Sequence, residues 1–313
     1  MEKYRPLFIG GKWVEAGSGK KGQVINPANG EVVAEYAVAD EKDVDLAVQA
    51  AKEAYKEWSN TTPAVRANML LKLADMLEAN AEEFARLESI DVGKPIDHAL
   101  GEIEAHADSL RFYAGAARCL EGKAALEYTE NMTSILRREP VGVCAGICPW
   151  NYPLQNVCWK AGAAMAAGNT IVLKPSSDTP LTTLYFAELA ADIIPAGVLN
   201  VVTGSGSVIG NALCTHPDVK LVSLTGSAGT GKKIAALCAA TLKRPLLELG
   251  GKAPAVVFED ADLDSLVEGL RGGSFYNCGQ DCGQACRILV SDKIYDDVVS
   301  RLVARCHTNS FGP

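Results

Sequence analysis

The chain has 313 residues, of which 48% are hydrophobic and 22% are charged, and its formal net charge is −8 at pH 7. These values are typical of a globular protein with one large α/β domain or two domains. The acidic balance argues against nucleic-acid binding, which depends on Lys and Arg side chains that neutralise phosphates.

Two features predict that the chain does not reside in a membrane. No apolar run reaches the roughly 18 residues of a membrane span, and the N-terminal segment lacks the basic and apolar regions of a secretory signal. We therefore expect a cytoplasmic protein whose ten cysteines are mostly reduced. Most of the cysteines stand in apolar or helical stretches and are predicted to be small buried side chains, for example Cys119, Cys144, Cys214 and Cys238.

The N-terminal third predicts short strands followed by helices. The stretches "LFIGGKWVEA" and "EVVAEYAV" are rich in β-formers and flank a turn. From Asp40 the spacing becomes helical, with an apolar stripe predicted at Val44, Leu46, Ala47, Ala50, Ala51, Ala54 and Trp58. A second helical stretch runs from Pro63 to the stop signal at 93–95, and a third helix is predicted over about 97–118.

The next segment, 121–139, alternates in character without a helical period and predicts a β-hairpin. From 141 onward the chain alternates short apolar runs with amphipathic stretches, and those runs lie at 141–148, 170–173, 199–203, 220–224 and 255–258. This alternation predicts an α/β fold with a doubly wound parallel sheet covered by helices on both faces.

In such a sheet ligands bind on the loops that follow the strands, and two of these loops are rich in glycine. The stretch "TGSAGTGKK" at 225–233 fits Gly-x-x-x-x-Gly-Lys from Gly226 to Lys232, but Lys233 stands where a nucleotide hydrolase needs Ser or Thr for magnesium. The stretch "GSGSVIG" at 204–210 is a near match to a dinucleotide fingerprint. A magnesium-dependent hydrolase, another anion site at a helix N-terminus, and a turn without ligand all remain open at this point.

A cysteine cluster and one carboxylate are candidates for catalysis. Cys278, Cys282 and Cys286 are spaced by four residues, which allows a metal site, packing of two of them on one helix, or one cysteine that acts as a nucleophile with a lowered pKa. Glu248 follows an apolar run, so it could be a general base in apolar surroundings or an acid paired with Lys252.

Taken together, these blocks resemble the aldehyde dehydrogenase superfamily, the NAD(P)-dependent enzymes that oxidise aldehydes to carboxylic acids. The blocks that carry the resemblance are "ESIDVGKP", "GVCAGICPWNYPL", "AGNTIVLKPS", "PAGVLNVVTG", "VSLTGSAGTGKKI", "LELGGKAPAVVFEDADLD" and "YNCGQDCGQACR". The resemblance implies that residues 1–120 and 140–249 form a Rossmann-like NAD(P)-binding domain. It also implies an oligomerisation hairpin at 121–139 and the start of a catalytic domain at 250–313.

The resemblance implies a catalytic role for four residues. Cys282 is implied as the nucleophile that forms a thiohemiacetal and then a thioester. The Asn151 side-chain amide would stabilise the oxyanion together with the Cys282 backbone N–H, and Glu248 would activate the hydrolytic water. Lys160 is the fourth implied catalytic residue, and no metal is implied.

The resemblance also implies a binding site for NAD or NADP. Lys174 would bond the adenosine ribose and Trp150 would line the pocket, and the remaining implied contacts are Ser176, Ser177, Gly206, Gly210, Gly226, Ser227, Gly231 and Leu249. NAD-preferring relatives often carry Glu where this chain has Ser177. A carboxylate at this position would repel the 2′-phosphate of NADP. Because Ser177 has no carboxylate, we expect the chain to accept both cofactors.

Among the family's branches, the blocks look closest to betaine-aldehyde and aminoaldehyde dehydrogenases, which implies a small cationic aldehyde as substrate. Tyr152, Trp159 and Tyr276 match positions that line the substrate tunnel, and aromatic faces attract ammonium groups. Glu102 and Asp281 would add negative charge. The alternative interpretation is a solvated helix face for Glu102 and core aromatic residues for the other positions.

Family members are considerably longer than 313 residues, so we expect a C-terminally truncated chain. The full-length parent is expected to be a homodimer or homotetramer. The alternative for this chain is a remnant that binds the nucleotide without turnover.

Overall fold

The structure, a computed structural model, describes residues 4–310 and 312. The outermost residues of the predicted domains, 1–3, 311 and 313, lie outside the described residues. The strands, in chain order, are β1 (Tyr4–Arg5), β2 (Leu7–Ile9), β3 (Lys12–Val14), β4 (Lys21–Ile25), β5 (Val32–Ala37), β6 (Lys123–Thr129), β7 (Met132–Leu136), β8 (Val143–Ile147), β9 (Thr170–Lys174), β10 (Leu199–Val201), β11 (Val219–Gly226), β12 (Arg244–Leu249), β13 (Ala253–Val257) and β14 (Ala285–Val290).

The described part of the chain contains ten α-helices, of which the first four follow one another after β5. In chain order they are α1 (Glu41–Trp58), α2 (Pro63–Ala79), α3 (Ala81–Val92), α4 (Ile96–Ala117), α5 (Pro153–Ala166), α6 (Leu181–Ala190), α7 (Asn211–Thr215), α8 (Ala228–Ala239), α9 (Leu263–Phe275) and α10 (Tyr295–Cys306). Among the described residues, no helix is long and apolar enough to cross a membrane.

The central sheet has seven strands in the order β12-β11-β8-β9-β10-β2-β3. The five strands from β12 to β10 are parallel, whereas β2 and β3 extend the sheet in antiparallel fashion. All five residues of β8 and all five of β9 are buried, as expected for central strands covered on both faces. The predicted parallel sheet is confirmed, with two corrections: the run at 255–258 belongs to the separate β13–β14 pair, and β12 was not predicted as a strand.

Helices cover both faces of the sheet and bury two apolar clusters. On one face α2, α3, α4, α5 and α6 enclose the cluster that contains Phe84 and Leu173. On the other face α1, α7 and α8 enclose the cluster that contains Val48 and Val172. The fold is therefore doubly wound, as the alternation of apolar runs predicted.

Two details of the helices differ from the sequence prediction. The stretch from 63 to 92 forms two helices rather than one, because the chain turns at Asn80, whose side-chain amide donates to the Met76 carbonyl. In α1 the buried stripe contains Val48 rather than Leu46, which is exposed. The start of α1 is fixed by a reciprocal cap in which Asp40 accepts from the Asp43 N–H and Asp43 accepts from the Asp40 N–H.

The predicted hairpin at 121–139 is present as the antiparallel pair β6–β7. Five of its large apolar side chains are exposed, and they are Leu126, Tyr128, Met132, Ile135 and Leu136. Cys144, Cys214 and Cys238 are buried as predicted, whereas Cys119 is exposed because it follows the end of α4.

Candidate active site

A cavity of about 1100 Å³ opens at the carboxyl ends of β8, β9, β11 and β12. This is the edge of a doubly wound sheet at which ligands bind. Fourteen of the residues singled out from the sequence line this cavity, and they are Glu102, Trp150, Asn151, Tyr152, Trp159, Lys174, Ser176, Gly226, Ser227, Glu248, Leu249, Tyr276, Asp281 and Cys282. The remaining five do not line it, and they are Lys160, Ser177, Gly206, Gly210 and Gly231.

Cys282 lies on a loop that connects α9 to β14. The loop begins with one 3-10 turn in which Asn277 and Cys278 adopt left-handed backbone angles, with φ of 49° and 57°. Cys286 lies in β14, so the expected packing of two of these cysteines on one helix is wrong. Cys282 is exposed to the cavity.

The electrostatic surroundings of Cys282 differ from those expected of a nucleophile. Burial of part of the thiol, followed by the neighbouring Asp281 carboxylate, raises the pKa of Cys282 above its ordinary value. The sequence-based expectation of a lowered pKa is therefore not met in this structure, because partial burial of the thiol and then the Asp281 carboxylate both disfavour the thiolate.

Asn151 lies in the loop between β8 and α5 and contacts the Cys282 loop directly. Its side-chain Nδ2 donates to the Gln280 carbonyl at 2.9 Å. The Asn277 side chain donates to the backbone carbonyls of Asn151 and Gln280, at 2.9 and 3.1 Å. The amide implied to stabilise an oxyanion thus already has an internal acceptor.

Glu248 stands near the end of β12, directly opposite Thr225 in the neighbouring strand. It lines the cavity but is exposed, so the expected apolar surroundings are wrong. The alternative pairing with Lys252 is also not found, because no ion pair among the described residues contains Glu248. An edge position on the sheet leaves this carboxylate open to water.

Two buried lysines lie beneath the cavity. The Lys160 ammonium donates to Ser223 Oγ at 3.1 Å and to Thr225 Oγ1 at 2.8 Å, and burial lowers the pKa of Lys160. The Lys174 ammonium lines the cavity and donates to the Pro175 carbonyl at 2.6 Å. Burial lowers the pKa of Lys174 to about 8, so its charge is poorly compensated by neighbouring protein groups.

The N-terminus of α8 opens onto the same cavity. Ser227 caps the helix by accepting from the Thr230 N–H, and the first turn contains no acidic residue. Free N–H groups and the helix dipole make such an end suitable for an anion. Lys232 and Lys233 are exposed and do not line the cavity, which disfavours a nucleotide hydrolase.

The implied cofactor residues that lie outside the cavity have structural contacts instead. Gly231 packs α8 against β12, since a Cβ atom there would lie 2.7 Å from a methyl group of Leu249. Ser177 donates its hydroxyl to the Gly204 carbonyl at 2.9 Å. Gly206 and Gly210 begin and end one turn of π-helix that follows β10.

Part of the cavity lining is aromatic and acidic. The Tyr152 hydroxyl donates to Asp281 Oδ2 at 2.7 Å, and the Tyr276 ring stacks on His98 with ring centroids 4.4 Å apart. Trp159 also lines this cavity and is partly exposed. Aromatic faces of this kind attract cations when the opposite charge is close by.

Glu102 is neither solvated nor free, contrary to both sequence interpretations. Its Oε2 accepts from the buried Lys94 ammonium at 2.5 Å. Lys94 also pairs with buried Glu88 at 3.2 Å. Lys94 and Glu88 were not predicted from the sequence, because only the packing of α3 against α4 brings them together with Glu102.

His106 is buried one helical turn after Glu102 and lines the cavity. Burial, followed by the Lys94 charge, lowers the pKa of His106 to about 3, so its imidazole is neutral. Among the described residues, no group of three or more His, Cys, Asp or Glu side chains could hold a metal ion.

A sequence profile of the aldehyde dehydrogenase family matches residues 13–313. Among curated proteins, an aldehyde dehydrogenase from Aspergillus niger is 44% identical over 309 residues, an alignment that covers 98% of this chain and 62% of that protein. An NAD-dependent aldehyde dehydrogenase from Sinorhizobium meliloti has a solved structure that is similar with a TM-score of 0.96 and 40% identity, covering 100% of this chain and 63% of that one. A betaine aldehyde dehydrogenase variant from Staphylococcus aureus, solved with NAD⁺, is similar with a TM-score of 0.96 and 34% identity, covering 98% and 62%. The chain thus spans 62% of the length of the curated relative.

Proposed function

This chain belongs to the aldehyde dehydrogenase family, and we propose that it carries the cofactor site and the nucleophile of an enzyme that oxidises aldehydes to carboxylic acids with NAD(P). The observation that supports this function most strongly is that one cavity is lined by Cys282, Asn151, Glu248, Lys174 and the N-terminus of α8. Such a reaction needs a thiol, an amide donor, a carboxylate and a site for the anionic cofactor, and this cavity has groups suited to each.

The chemistry of the protein residues follows from their positions. The Cys282 thiolate attacks the aldehyde carbon, which gives a thiohemiacetal with negative charge on oxygen. Asn151 Nδ2 then donates to that oxygen instead of the Gln280 carbonyl, and one such donor contributes about 3 kcal/mol to lowering the barrier. When bound, NAD(P) would supply the acceptor for the hydride that this adduct loses as it becomes a thioester.

Hydrolysis of the thioester is assigned to Glu248. Its exposed carboxylate on the cavity wall takes a proton from water as that water attacks the thioester carbon. The acid product leaves, the Cys282 thiolate is restored, and Glu248 returns its proton to water. Lys160 remains a proposed catalytic residue, and its buried ammonium acts on Glu248 through its charge rather than by contact with the aldehyde.

Residues around the cavity fit a dinucleotide. The free N–H groups at Ser227 and the start of α8 suit a diphosphate. The Lys174 ammonium has one carbonyl partner among the described residues and two further N–H donors for ribose hydroxyls. Trp150 supplies an exposed aromatic wall, and Ser176, Gly226 and Leu249 complete the lining.

Use of both NAD and NADP is part of the proposal, because Ser177 carries no carboxylate that would repel a 2′-phosphate. Affinities for the two cofactors, measured by quenching of tryptophan fluorescence, are expected to lie within roughly tenfold of each other. In Ser177→Glu, NADP affinity is expected to fall roughly tenfold or more while NAD affinity is retained. A strong NAD preference in the unaltered chain contradicts this part of the proposal.

A small cationic aldehyde is the proposed substrate. The rings of Tyr152, Trp159 and Tyr276 together with Asp281 support this choice, and one similar structure is a betaine aldehyde dehydrogenase. Glu102 supports it less, because Lys94 already compensates its charge. A neutral aliphatic aldehyde of the same length is the matched comparison, and equal turnover of the two would contradict the cationic assignment.

The deciding experiment measures NAD(P)H formation from 4-aminobutyraldehyde or betaine aldehyde by the 313-residue chain. Cys282→Ala is expected to abolish the signal, whereas Cys278→Ala, an exposed cysteine four residues away, is the matched control and is expected to retain it. Cofactor binding without NAD(P)H formation would instead support the remnant that binds the nucleotide without turnover. Magnesium-dependent ATP hydrolysis would support the disfavoured nucleotide hydrolase.

We further propose that residues 1–120 and 140–249 act as the cofactor domain and 250–313 as part of a catalytic domain in a cytoplasmic enzyme. The hairpin β6–β7 is proposed to mediate assembly into a homodimer or homotetramer, because five large apolar side chains on it are exposed. Analytical ultracentrifugation of the chain with and without charged substitutions at Tyr128 and Ile135 tests this assignment.

A further inference from the structure

A lysine is completely buried beneath an aromatic ring of the cavity wall, and the reaction proposed above makes no use of it. Lys94 lies in the turn between α3 and α4 and is 1% exposed. Its ammonium pairs with Glu88 and Glu102 and lies 4.2 Å from the centroid of the Tyr152 ring. Burial of an ammonium costs several kcal/mol unless other groups compensate its charge.

The far end of the Tyr152 side chain contacts the residue that precedes the proposed nucleophile. The Tyr152 hydroxyl donates to Asp281 Oδ2 at 2.7 Å, and Asp281 Oδ1 accepts from the Gly283 N–H at 2.6 Å. Both oxygens of Asp281 are therefore held, one by the Tyr152 side chain and one by the loop itself. Lys94, Tyr152, Asp281 and Cys282 form a continuous series from the buried turn to the exposed thiol.

We propose that Lys94 and Tyr152 are positioning residues that act in series, through Asp281, on the thiol of Cys282. This inference rests on the proposed role of Cys282 as the nucleophile. A cation on the face of a phenol ring draws electron density from it, which makes the hydroxyl a stronger donor. A stronger donor compensates more of the Asp281 charge and fixes the carboxylate, so that the Cys282 thiolate forms beside a weaker negative field.

Several charged groups face the members of this series. Glu88 approaches Lys94 from α3, and Glu102 and neutral His106 approach from α4. Burial, followed by the Glu102 carboxylate, raises the pKa of Tyr276, the residue that begins the Cys282 loop. Asp281 from the loop and Glu248 from β12 both oppose ionisation of Cys282. Among the described contacts, Tyr152 is the uncharged residue that links Lys94 to Asp281, because its ring lies against the ammonium and its hydroxyl donates to the carboxylate.

A purely structural role for Lys94 makes a different prediction. In that case the ion pairs only fasten α3 to α4, and their loss lowers stability without any effect on the thiol. Reactivity of Cys282 separates the two roles, because it reads the thiol directly and needs neither cofactor nor aldehyde.

The experiment measures the rate at which iodoacetamide alkylates Cys282 as a function of pH, resolved from the other cysteines by mass spectrometry of peptides. Exposed Cys119, at the end of α4, is the internal reference. Tyr152→Phe keeps the ring and removes the hydroxyl, and it is expected to slow alkylation near pH 8 by roughly three- to tenfold. Asp281→Asn removes the charge and is expected to accelerate it by a similar factor.

The double variant decides whether the two residues act in series. If Tyr152 acts through Asp281, Tyr152→Phe has no further effect in the Asp281→Asn background. An unchanged rate in Tyr152→Phe, or an equal effect in both backgrounds, overturns the proposal. If either of these results is found while the unaltered chain forms NAD(P)H, only the positioning role is overturned. If Tyr152→Phe slows alkylation through Asp281 but the chain forms no NAD(P)H, only the proposed function is overturned.

Lys94→Met tests the buried end of the series. It is expected to slow alkylation in the same direction as Tyr152→Phe. Arg66→Met is the matched control, because Arg66 is a buried cation that bonds the Ala166 carbonyl and does not line the cavity. The control is expected to lower the melting temperature without changing the rate at Cys282. Should Lys94→Met fail to fold, the Tyr152 and Asp281 variants decide the proposal by themselves.

Discussion

Replacement of Lys174 by Met is expected to stabilise the fold while it weakens cofactor binding. Burial lowers the pKa of Lys174 from its ordinary 10.5 to about 8. This difference corresponds to about 3 kcal/mol of unfavourable free energy for the charged form in the folded protein. That figure is an upper value for the gain, since Met also gives up the hydrogen bond from the ammonium to the Pro175 carbonyl.

The stability gained by Lys174→Met depends on pH, and its direction follows from the number of protons that the folded and unfolded chains bind. Below about pH 8 Lys174 is protonated in both the folded and the unfolded chain, so the full penalty is present. Between about 8 and 10.5 the unfolded chain holds more protons than the folded one, so the stability of the unaltered protein rises with pH. The stability advantage of Lys174→Met is therefore largest near neutrality and declines through that window.

Urea unfolding followed by circular dichroism, with a reductant present, measures this difference from neutrality to the upper end of the window. Lys72→Met, at an exposed position on α2, is the matched control and is expected to show no such dependence. Titration with NAD and NADP is expected to show weaker binding by Lys174→Met. A stability difference that is constant with pH, or a loss of more than about 1 kcal/mol at neutral pH, would refute the reasoning.

Three further substitutions test the packing around the sheet. Gly197→Ala is expected to cost about 2–4 kcal/mol of unfolding free energy, because φ is +82° and the new Cβ would lie 2.8 Å from the Ala50 carbonyl oxygen. Urea unfolding measures this loss, and a cost below about 1 kcal/mol would show that the turn adapts to a side chain. Phe84→Ala is expected to cost about 3–5 kcal/mol, whereas Phe112→Ala, at a position that is 67% exposed, is expected to cost about 0.5 kcal/mol or less in the same measurement. Similar losses for the two would contradict the assignment of Phe84 to the core. Asp43→Ala removes the acceptor of the Asp40 N–H, at the start of α1, and of the Gly17 N–H, and it is expected to cost about 1–2 kcal/mol, checked by thermal unfolding. An unchanged melting temperature would mean that water replaces the lost acceptor.

The parallel sheet was predictable because its central strands are apolar on both faces. The runs at 141–148 and 170–173 are buried along their whole observed strands, so no alternation was needed to find them. Strand β12 escaped prediction because it lies at an edge, where charged and proline residues interrupt the apolar pattern. The run at 255–258 was placed in the wrong sheet, since its sequence specifies a strand but not its partner.

The residues that line the cavity could largely be predicted, whereas their exposure and the compensation of their charges could not. Resemblance to a family indicated which loops meet, and Asn151 and Cys282 do line one cavity. It could not indicate that Glu248 is exposed, because exposure of an edge strand depends on what packs beside it. It also missed Lys94, since a lysine between two helices looks solvated until a tertiary contact places carboxylates around it.

The hydrogen bond from Asn151 to the Gln280 carbonyl has a consequence for how the proposed enzyme divides its affinity between reactant and transition state. A neutral aldehyde oxygen accepts about as well as a peptide carbonyl, so swapping one for the other gives little net attraction. An alkoxide is a far stronger acceptor, so the Asn151 amide donates to it in preference to the Gln280 carbonyl. The internal hydrogen bond to Gln280 lowers the binding free energy of the aldehyde and of the charged adduct by the same amount. The aldehyde therefore gains little from Asn151, and the net stabilisation appears only when charge develops on the oxygen.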